Sequence, residues 1–168
     1  QQYAEHQFGW KVLGAILQQT GRKSEAVNAN QRAVDLSPQD AEAHNNLGAT
    51  FKELARLKEA EICLRQAITL KPDYAEACNN LGLTLVELGK YEEAKQNYVH
   101  AIALKPDFTN AHFHLGIILQ KQGQLEEAVT SLRQAIDLKS DFTEAHSNLG
   151  NILQELGRLE DAEVSYNK

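Results

Sequence analysis

The chain has 168 residues, of which 42% are hydrophobic and 24% charged, and its formal net charge is −6. An acidic chain lacks the basic patch that binds nucleic-acid phosphates, so we expect no nucleic-acid partner. No apolar run approaches the ~20 residues of a membrane span, so we expect no membrane partner. Two cysteines, Cys63 and Cys78, are too few for a disulfide scaffold, and we expect free thiols in a reducing, cytoplasmic location.

A Leu-Gly pair recurs every 34 residues along the whole chain. The pairs begin at Leu13, Leu47, Leu81, Leu115 and Leu149. Small residues follow in phase, at Ala26, Ala60, Ala94, Ala128 and Ala162. A period of this length predicts stacked supersecondary units. We therefore divide a single array over 1–168 into repeats 7–40, 41–74, 75–108 and 109–142 and a partial repeat 143–168, and number positions from the start of each repeat.

Each repeat predicts two helices joined by a tight turn. Repeat 1 has an apolar stripe through Leu13 and Leu17, a turn at Gly21, and a second helix that ends before Pro38. Repeat 2 follows the same pattern, but Ala55 occupies the turn position. Repeats 3, 4 and 5 again place glycine there, at Gly89, Gly123 and Gly157. Pro72 and Pro106 close repeats 2 and 3, and Ser140 takes that position in repeat 4.

These motifs resemble the tetratricopeptide repeat. The matching residues of repeat 1 are Trp10-x2-Leu13-Gly14-x2-Leu17, then Ala26, Ala33 and Pro38. The resemblance covers 7–168 and implies an all-α fold, a right-handed α-solenoid of stacked antiparallel helix pairs. It also implies a protein-binding module without catalysis. Repeat 1 departs from the pattern at Asn30, where the later repeats have Leu or Tyr, so we expect repeat 1 to pack less well.

Paired asparagines lie in the middle of two predicted first helices. Asn45-Asn46 and Asn79-Asn80 occupy positions 5 and 6, where Asn costs up to ~0.7 kcal/mol relative to Ala. Helical geometry turns these positions away from the apolar stripe, toward the side that lines the concave groove of tetratricopeptide arrays. Because an amide both donates and accepts, a row of them could bind the backbone of an extended peptide. Alternatively, the asparagines are solvated or tie one helix to the next.

The row resembles the asparagine ladder in the superhelical repeat region of O-GlcNAc transferases, and no glycosyltransferase domain is present in this sequence. The predicted peptide-binding residues are Lys11, Asn45, Asn46, Lys52, Asn79, Asn80, Phe113, His114, Lys121, Asn148 and Asn151. The same predicted surface carries six acids, Glu42, Glu53, Glu76, Glu87, Glu144 and Glu155. Three cations against six acids favour neutral or basic peptides over acidic ones. We also expect alanine at Asn46, Asn80 and Asn148 to weaken binding more than folding.

No catalytic, metal-binding or cofactor motif is found in the sequence. His44, His112 and His146 share position 4 of different repeats, where they face helix packing and cannot converge on one ion. We therefore expect no metal, no cofactor and no enzymatic activity.

Three functions remain open at this stage. The first is a non-catalytic module that binds an extended peptide. The second is the substrate-recognition arm of a larger enzyme, such as an O-GlcNAc-transferase-like glycosyltransferase. The third is a self-assembling scaffold. The chain starts at Gln1 rather than Met and its last repeat stops within the second helix, so we expect a part of a longer array, with end-to-end self-association.

Overall fold

The computed structural model describes the backbone of residues 2–167 and the side chains of residues 7–167. Within that range the regular structure is entirely helical. The helices are α1 Gln2–Gln19, α2 Lys23–Leu36, α3 Ala41–Glu53, α4 Leu57–Leu70, α5 Ala75–Glu87, α6 Tyr91–Leu104, α7 Thr109–Lys121, α8 Leu125–Leu138, α9 Thr143–Glu155 and α10 Leu159–Tyr166. Each predicted repeat holds one consecutive helix pair, so the predicted all-α fold class is confirmed.

The chain divides into two compact units, Gln1–Lys90 and Tyr91–Lys168. The first unit contains α1 to α5 and the second contains α6 to α10. Within each unit, helices that follow one another pack together, as α2 does on α3, α4 on α5 and α8 on α9. The single array over 1–168 stays a prediction, and the two units are described separately.

The turns within the helix pairs have a left-handed backbone. Gly21, Gly89, Gly123 and Gly157 have φ between 73° and 76°, a conformation that costs glycine little. Ala55 has φ 57° at the same position of repeat 2. A left-handed alanine brings its Cβ too close to the following carbonyl oxygen, so this turn is strained.

Close contact between the two helices of a repeat depends on the glycine at position 8. A Cβ added to Gly48 would lie 2.7 Å from Leu64 Cγ, and one added to Gly116 would lie 2.7 Å from Leu132 Cγ. No side chain at position 8 fits without moving that leucine. The Leu-Gly pairs of repeats 2 and 4 therefore mark the contact that sets the spacing of the helix pairs α3–α4 and α7–α8.

Leucine and alanine fill the interior of both units. In the second unit one apolar cluster includes Leu119, Leu132, Leu149, Ile152 and Leu153, all buried. Burying each such side chain contributes about 1.5–3 kcal/mol to folding. This cluster extends through Ala162 to a fourth helix, so it involves α7 to α10, because a single helix pair cannot cover its own apolar stripe.

Repeat 1 packs a polar residue at the position where the later repeats of the chain have Leu or Tyr. Asn30 is buried, and its Nδ2 donates to Thr50 Oγ1 on α3 at 2.9 Å. Its Oδ1 is buried without a hydrogen-bond partner among the described residues. Asn30 fills the space at this position, but a buried amide oxygen without a donor lowers the stability of the fold. The lower packing quality expected for repeat 1 therefore takes this specific form.

Candidate functional site

The paired asparagines of the first unit join two neighbouring first helices. Asn80 Nδ2 on α5 donates to Asn45 Oδ1 on α3 at 2.9 Å. Asn45 Nδ2 lies 3.5 Å from Asn46 Oδ1, at the limit of a hydrogen bond. We define the first-unit face as the surface of α1, α3 and α5 that carries Lys11, Asn45, Asn46, Lys52, Asn79 and Asn80.

Position 5 is more buried than the sequence predicts. Asn45 and Asn79 are only 7% and 6% exposed, whereas the helical wheel turned them away from the core. The wheel describes one helix at a time and omits neighbouring helices, such as α5, whose Asn80 bonds to Asn45 on α3. The expectation that both asparagines of each pair lie away from the core is therefore wrong for Asn45 and Asn79.

Position 6 keeps accessible polar atoms. Asn46 and Asn80 are half-buried. Among the described residues, Asn46 Nδ2 has no hydrogen-bond partner. Asn80 Oδ1 has none either, because Asn80 reaches Asn45 through its Nδ2. A donor and an acceptor on adjacent helices are thus left for a ligand.

The cations of the first-unit face differ in their availability. Lys11 Nζ forms ion pairs with Asp40 at 3.0 Å and with Glu42 at 2.5 Å, and its side chain is 15% exposed. Burial alone would lower the pKa of Lys11, but the hydrogen bonds and charges of both carboxylates outweigh it and raise that pKa. Lys52 is half-buried and has no ion pair among the described residues. Only Lys52 of the two remains available to an acidic ligand.

Asp40 is the residue of this region that the sequence interpretation missed. Its Oδ1 accepts the backbone N–H groups of Glu42 and Ala43 at the start of α3, as an N-cap does. Its Oδ2 accepts from Lys11 and Gln7 on α1. Asp immediately before a helix is a recognisable capping signal, whereas the contacts with α1 depend on the fold. Asp40 thereby holds α1 and α3 together.

The second-unit face carries aromatic rings where the first carries asparagine. We define it as the surface of α7 and α9 that bears Phe113, His114, Lys121, Asn148 and Asn151. Phe113 packs on Phe142, with ring centroids 4.7 Å apart, and on His114 at 5.3 Å. His114 also stacks on the buried Tyr98 at 5.6 Å. The rings of Phe113 and His114 remain half-buried and offer apolar contact to a ligand.

The two asparagines of α9 make different bonds. Asn148 Nδ2 donates to the Glu144 carbonyl of its own helix at 2.7 Å. Asn151 Oδ1 accepts from Tyr166 Oη on α10 at 2.7 Å. Lys121 is exposed, and its ammonium lies 5.5 Å from the centre of the Tyr91 ring. Asparagine therefore does not form a uniform ladder across the predicted positions.

The histidines at position 4 fix the loops between repeats. Nε2 of His44, His112 and His146 lies 2.9 Å from the carbonyl oxygens of Pro38, Pro106 and Ser140, respectively. Because a carbonyl only accepts, each Nε2 donates its proton. No group of three or more His, Cys, Asp or Glu side chains suited to a metal ion occurs in the part of the chain that the structure describes.

The cysteines are shielded from reaction. Burial, together with the charge of Glu59, raises the pKa of the Cys63 thiol to about 11. Burial also raises the pKa of Cys78, which lies in the core of the first unit. A thiol rather than a thiolate is unreactive near neutral pH.

None of the described helices combines the length and apolar character needed to span a membrane.

Family models of one kind match along the sequence. A model described as TPR repeat matches residues 14–54, 82–123 and 118–157, and models described as Tetratricopeptide repeat match 41–74 and 63–96. The matches span well over half of the chain. The chain belongs to the tetratricopeptide repeat (TPR) family. TPR proteins generally mediate protein–protein interactions, and the fold is typically a non-catalytic interaction module.

Solved structures share this TPR fold. PilF of Pseudomonas aeruginosa is 22% identical with a TM-score of 0.92, and the match covers 99% of this chain and 76% of that one. MamA of Desulfovibrio magneticus RS-1 is 18% identical with a TM-score of 0.84, covering 96% and 92%. TTC0263, a thermophilic TPR protein of Thermus thermophilus, is 26% identical with a TM-score of 0.80, covering 96% and 88%. The comparison with curated proteins gives no match. The α-solenoid fold class is confirmed by these likenesses.

Proposed function

We propose that this TPR chain is a non-catalytic module that binds an extended segment of a protein partner on the surface of its first helices. One observation carries the proposal. Asn46 Nδ2 and Asn80 Oδ1 lie on adjacent helices, are half-buried, and lack partners among the described residues. An extended peptide presents backbone C=O and N–H groups that complement this donor and this acceptor.

The Asn45–Asn80 hydrogen bond supports the proposal indirectly. It holds the Asn80 amide in one orientation, with Nδ2 toward Asn45 and Oδ1 left outward. A preorganised acceptor loses less side-chain entropy on binding than a mobile one. In this proposal the buried asparagine of each pair supports the geometry, and the half-buried one contacts the peptide.

Charge on these faces favours neutral or basic peptides. The first-unit face carries two cations and four acids at the groove positions, and Lys11 is already paired with Asp40 and Glu42. The second-unit positions carry one cation and two acids. A bound peptide with a lysine should therefore bind more tightly than its glutamate counterpart at low salt, and the difference should shrink as salt screens it. Tighter binding of the glutamate peptide would contradict this preference.

The test uses peptides selected on the chain from a phage-displayed library of random linear sequences. Titration into ¹⁵N-labelled protein should shift the side-chain amide signals of Asn46 and Asn80. Asn46→Ala should weaken binding by about two- to tenfold, the value of one net hydrogen bond. The matched control is Asn97→Ala, which removes a half-buried amide from the second helix α6, where Nδ2 donates only to its own helix. Equal loss in both variants, or shifts confined to second helices, would overturn the proposal.

A narrower alternative is that the chain is the substrate-recognition arm of a larger, O-GlcNAc-transferase-like enzyme. It rests on the asparagine pairs alone, and the relatives described above add no support for it. The aromatic Phe113 and His114 interrupt the ladder in the second unit. Sequencing the full reading frame tests this alternative, because it requires a glycosyltransferase domain in the same polypeptide. We also propose a cytoplasmic location, because Cys63 and Cys78 form no disulfide.

A further inference from the structure

Position 5 of the first helices carries a cation in repeat 1 and an aromatic ring in repeat 4, namely Lys11 and Phe113. Lys11 pairs with Asp40, at position 34 of its own repeat, at 3.0 Å. It also pairs with Glu42, at position 2 of the next repeat, at 2.5 Å. In the first unit, position 5 therefore lies beside position 34 of the same repeat and position 2 of the next one.

The second unit has the same three positions with different side chains. Phe113 packs on Phe142, at position 34 of its own repeat, with ring centroids 4.7 Å apart. Glu144 occupies position 2 of the next repeat, at the start of α9. By the pattern that Lys11 shows, the Glu144 carboxylate borders the Phe113 ring. We define the Phe113 site as Phe113, Phe142 and Glu144.

The acid of the Phe113 site has no cation, unlike its counterpart in the first unit. Glu144 is exposed, and its carboxylate makes no hydrogen bond or ion pair with any residue that the structure describes. Asn148 donates to the backbone carbonyl of Glu144 and leaves the carboxylate unbonded. Glu42, by contrast, pairs with Lys11. The carboxylate of Glu144 is therefore available to a cation from outside the chain.

The neighbouring lysines do not fill this place. Lys139 lies over the Phe142 ring, 5.2 Å from its centroid. Lys121 lies two turns beyond Phe113 on α7, about 12 Å along the helix. Its ammonium is 5.5 Å from the centre of the Tyr91 ring. Within the described part of the chain no cation lies over the half-buried ring of Phe113. The Phe113 site thus combines an unpaired carboxylate with an accessible ring.

We propose that the Phe113 site binds an arginine side chain of the partner segment, in the place that Lys11 fills in the first unit. A guanidinium is planar and always charged, so it stacks on the Phe113 ring and donates two hydrogen bonds to the Glu144 carboxylate. A lysine pairs with the carboxylate, but its compact ammonium lacks the planar fork. The inference rests on the proposed function, because it names one side chain of the segment bound there.

Selection of peptides is the first test. A phage-displayed library of random linear sequences, selected on the wild-type chain, should become enriched in arginine. The enrichment should disappear when the same library is selected on Glu144→Gln. The matched control is Glu127→Gln, because Glu127 is an exposed acid of the same unit on the second helix α8. Its peptides should stay rich in arginine. Peptides rich in leucine or phenylalanine instead would mean an apolar occupant and would overturn the proposal.

Replacing the arginine of a selected peptide by citrulline tests the ion pair, because citrulline keeps the shape of the side chain and removes its charge. In isothermal titration this replacement should weaken binding to the wild type about three- to tenfold. On Glu144→Gln it should cost no more than about twofold. A citrulline peptide that loses the same affinity on both chains would contradict the pairing with Glu144.

The ring has a readout of its own. Phe113→Leu keeps an apolar side chain and removes the ring. The wild type should prefer the arginine peptide to its lysine counterpart, and Phe113→Leu should bind the two about equally. Thermal unfolding verifies that Phe113→Leu is folded at the temperature of the titration. An unchanged preference in the folded variant would contradict stacking on Phe113.

The outcomes separate this inference from the proposed function. If citrulline costs nothing while the amide signals of Asn46 and Asn80 still shift, the inference fails and the proposed function stands. If the chain selects no peptide, the proposed function fails, and N-acetylarginine methylamide titrated into ¹⁵N-labelled protein decides the inference alone. It should shift the backbone signals of Phe113 and Glu144, whereas the citrulline derivative should not. Equal shifts with both compounds, or none with either, would overturn the inference.

Discussion

Asn80 on α5 donates its side-chain amide to Asn45 on α3, across 2.9 Å and between the first helices of two consecutive repeats. Asn45 is buried there, and its Oδ1 has left water to make this bond. The asparagine pairs therefore hold neighbouring helices in register as well as presenting polar atoms outward.

Asn80→Ala should lower the free energy of unfolding by about 1–3 kcal/mol, because it leaves Asn45 Oδ1 buried without a donor. The matched control is Asn148→Ala. Asn148 bonds only to the carbonyl of its own helix, so its loss should change stability by less than about 0.5 kcal/mol. Urea unfolding of both variants provides the comparison. Equal stability in the two would refute the structural role of Asn80, and it would restore the sequence expectation that all three asparagines are dispensable for folding.

Gly48→Ala should lower the free energy of unfolding by about 1–3 kcal/mol, because the new methyl group would meet Leu64 Cγ at 2.7 Å. Gly9→Ala makes the same chemical change on α1, where nothing lies within 4 Å of the added atom. It should raise stability by about 0.5–1 kcal/mol through helix propensity. Opposite signs in thermal unfolding are the expected result, and a stabilised Gly48 variant would contradict this packing.

Ala55→Gly should stabilise the chain by up to about 1 kcal/mol. Ala55 has φ 57°, and a left-handed alanine carries a steric cost of about 1–2 kcal/mol, part of which is offset by the greater entropy of unfolded glycine. Gly89→Ala is the reverse change at an equivalent turn with φ 76° and should destabilise. Comparing both in denaturant unfolding checks the sign, and a less stable Ala55→Gly variant would show that the turn is unstrained.

Acid should remove the stabilisation that Asp40 provides. Burial alone would raise the pKa of Asp40, but hydrogen bonds from Gln7, Lys11 and Ala43 outweigh it and lower that pKa below its ordinary 3.8. A lowered folded pKa means that the contribution is complete above pH 3.8 and is lost as pH falls through the folded value. The stability difference between the wild type and Asp40→Asn should therefore shrink with falling pH. A difference that stays constant down to the acid transition would contradict this.

The sequence predicts the repeats because their signals are local. Glycine at the turn, the Leu-Gly pair and the in-phase alanines each determine a contact within one helix pair, and the helices begin and end where these signals predict. The strained backbone of Ala55 also lies at the predicted turn position, although alanine at that position gives no indication of its φ. Period and turn chemistry thus suffice for the fold.

The candidate faces were less predictable because their properties depend on neighbouring repeats. A helical wheel places Asn45 outward, whereas the adjacent α5 buries it. Lys11 counts as a free cation in the sequence, whereas Asp40, at the end of the same repeat, and Glu42 of the next repeat pair with it. Both outcomes arise from contacts between residues about one repeat apart, which a pattern within one helix does not contain.

The most direct test of the proposed function replaces single backbone N–H groups of a bound peptide by ester oxygens, one at a time. If Asn80 Oδ1 accepts a peptide N–H, one such replacement should weaken binding by about two- to tenfold while replacements at neighbouring positions change it little. In the Asn46→Ala chain the same peptide should remain sensitive at that position, because Asn80 is unchanged. Isothermal titration of the ester series that shows no sensitive position would contradict binding through the peptide backbone.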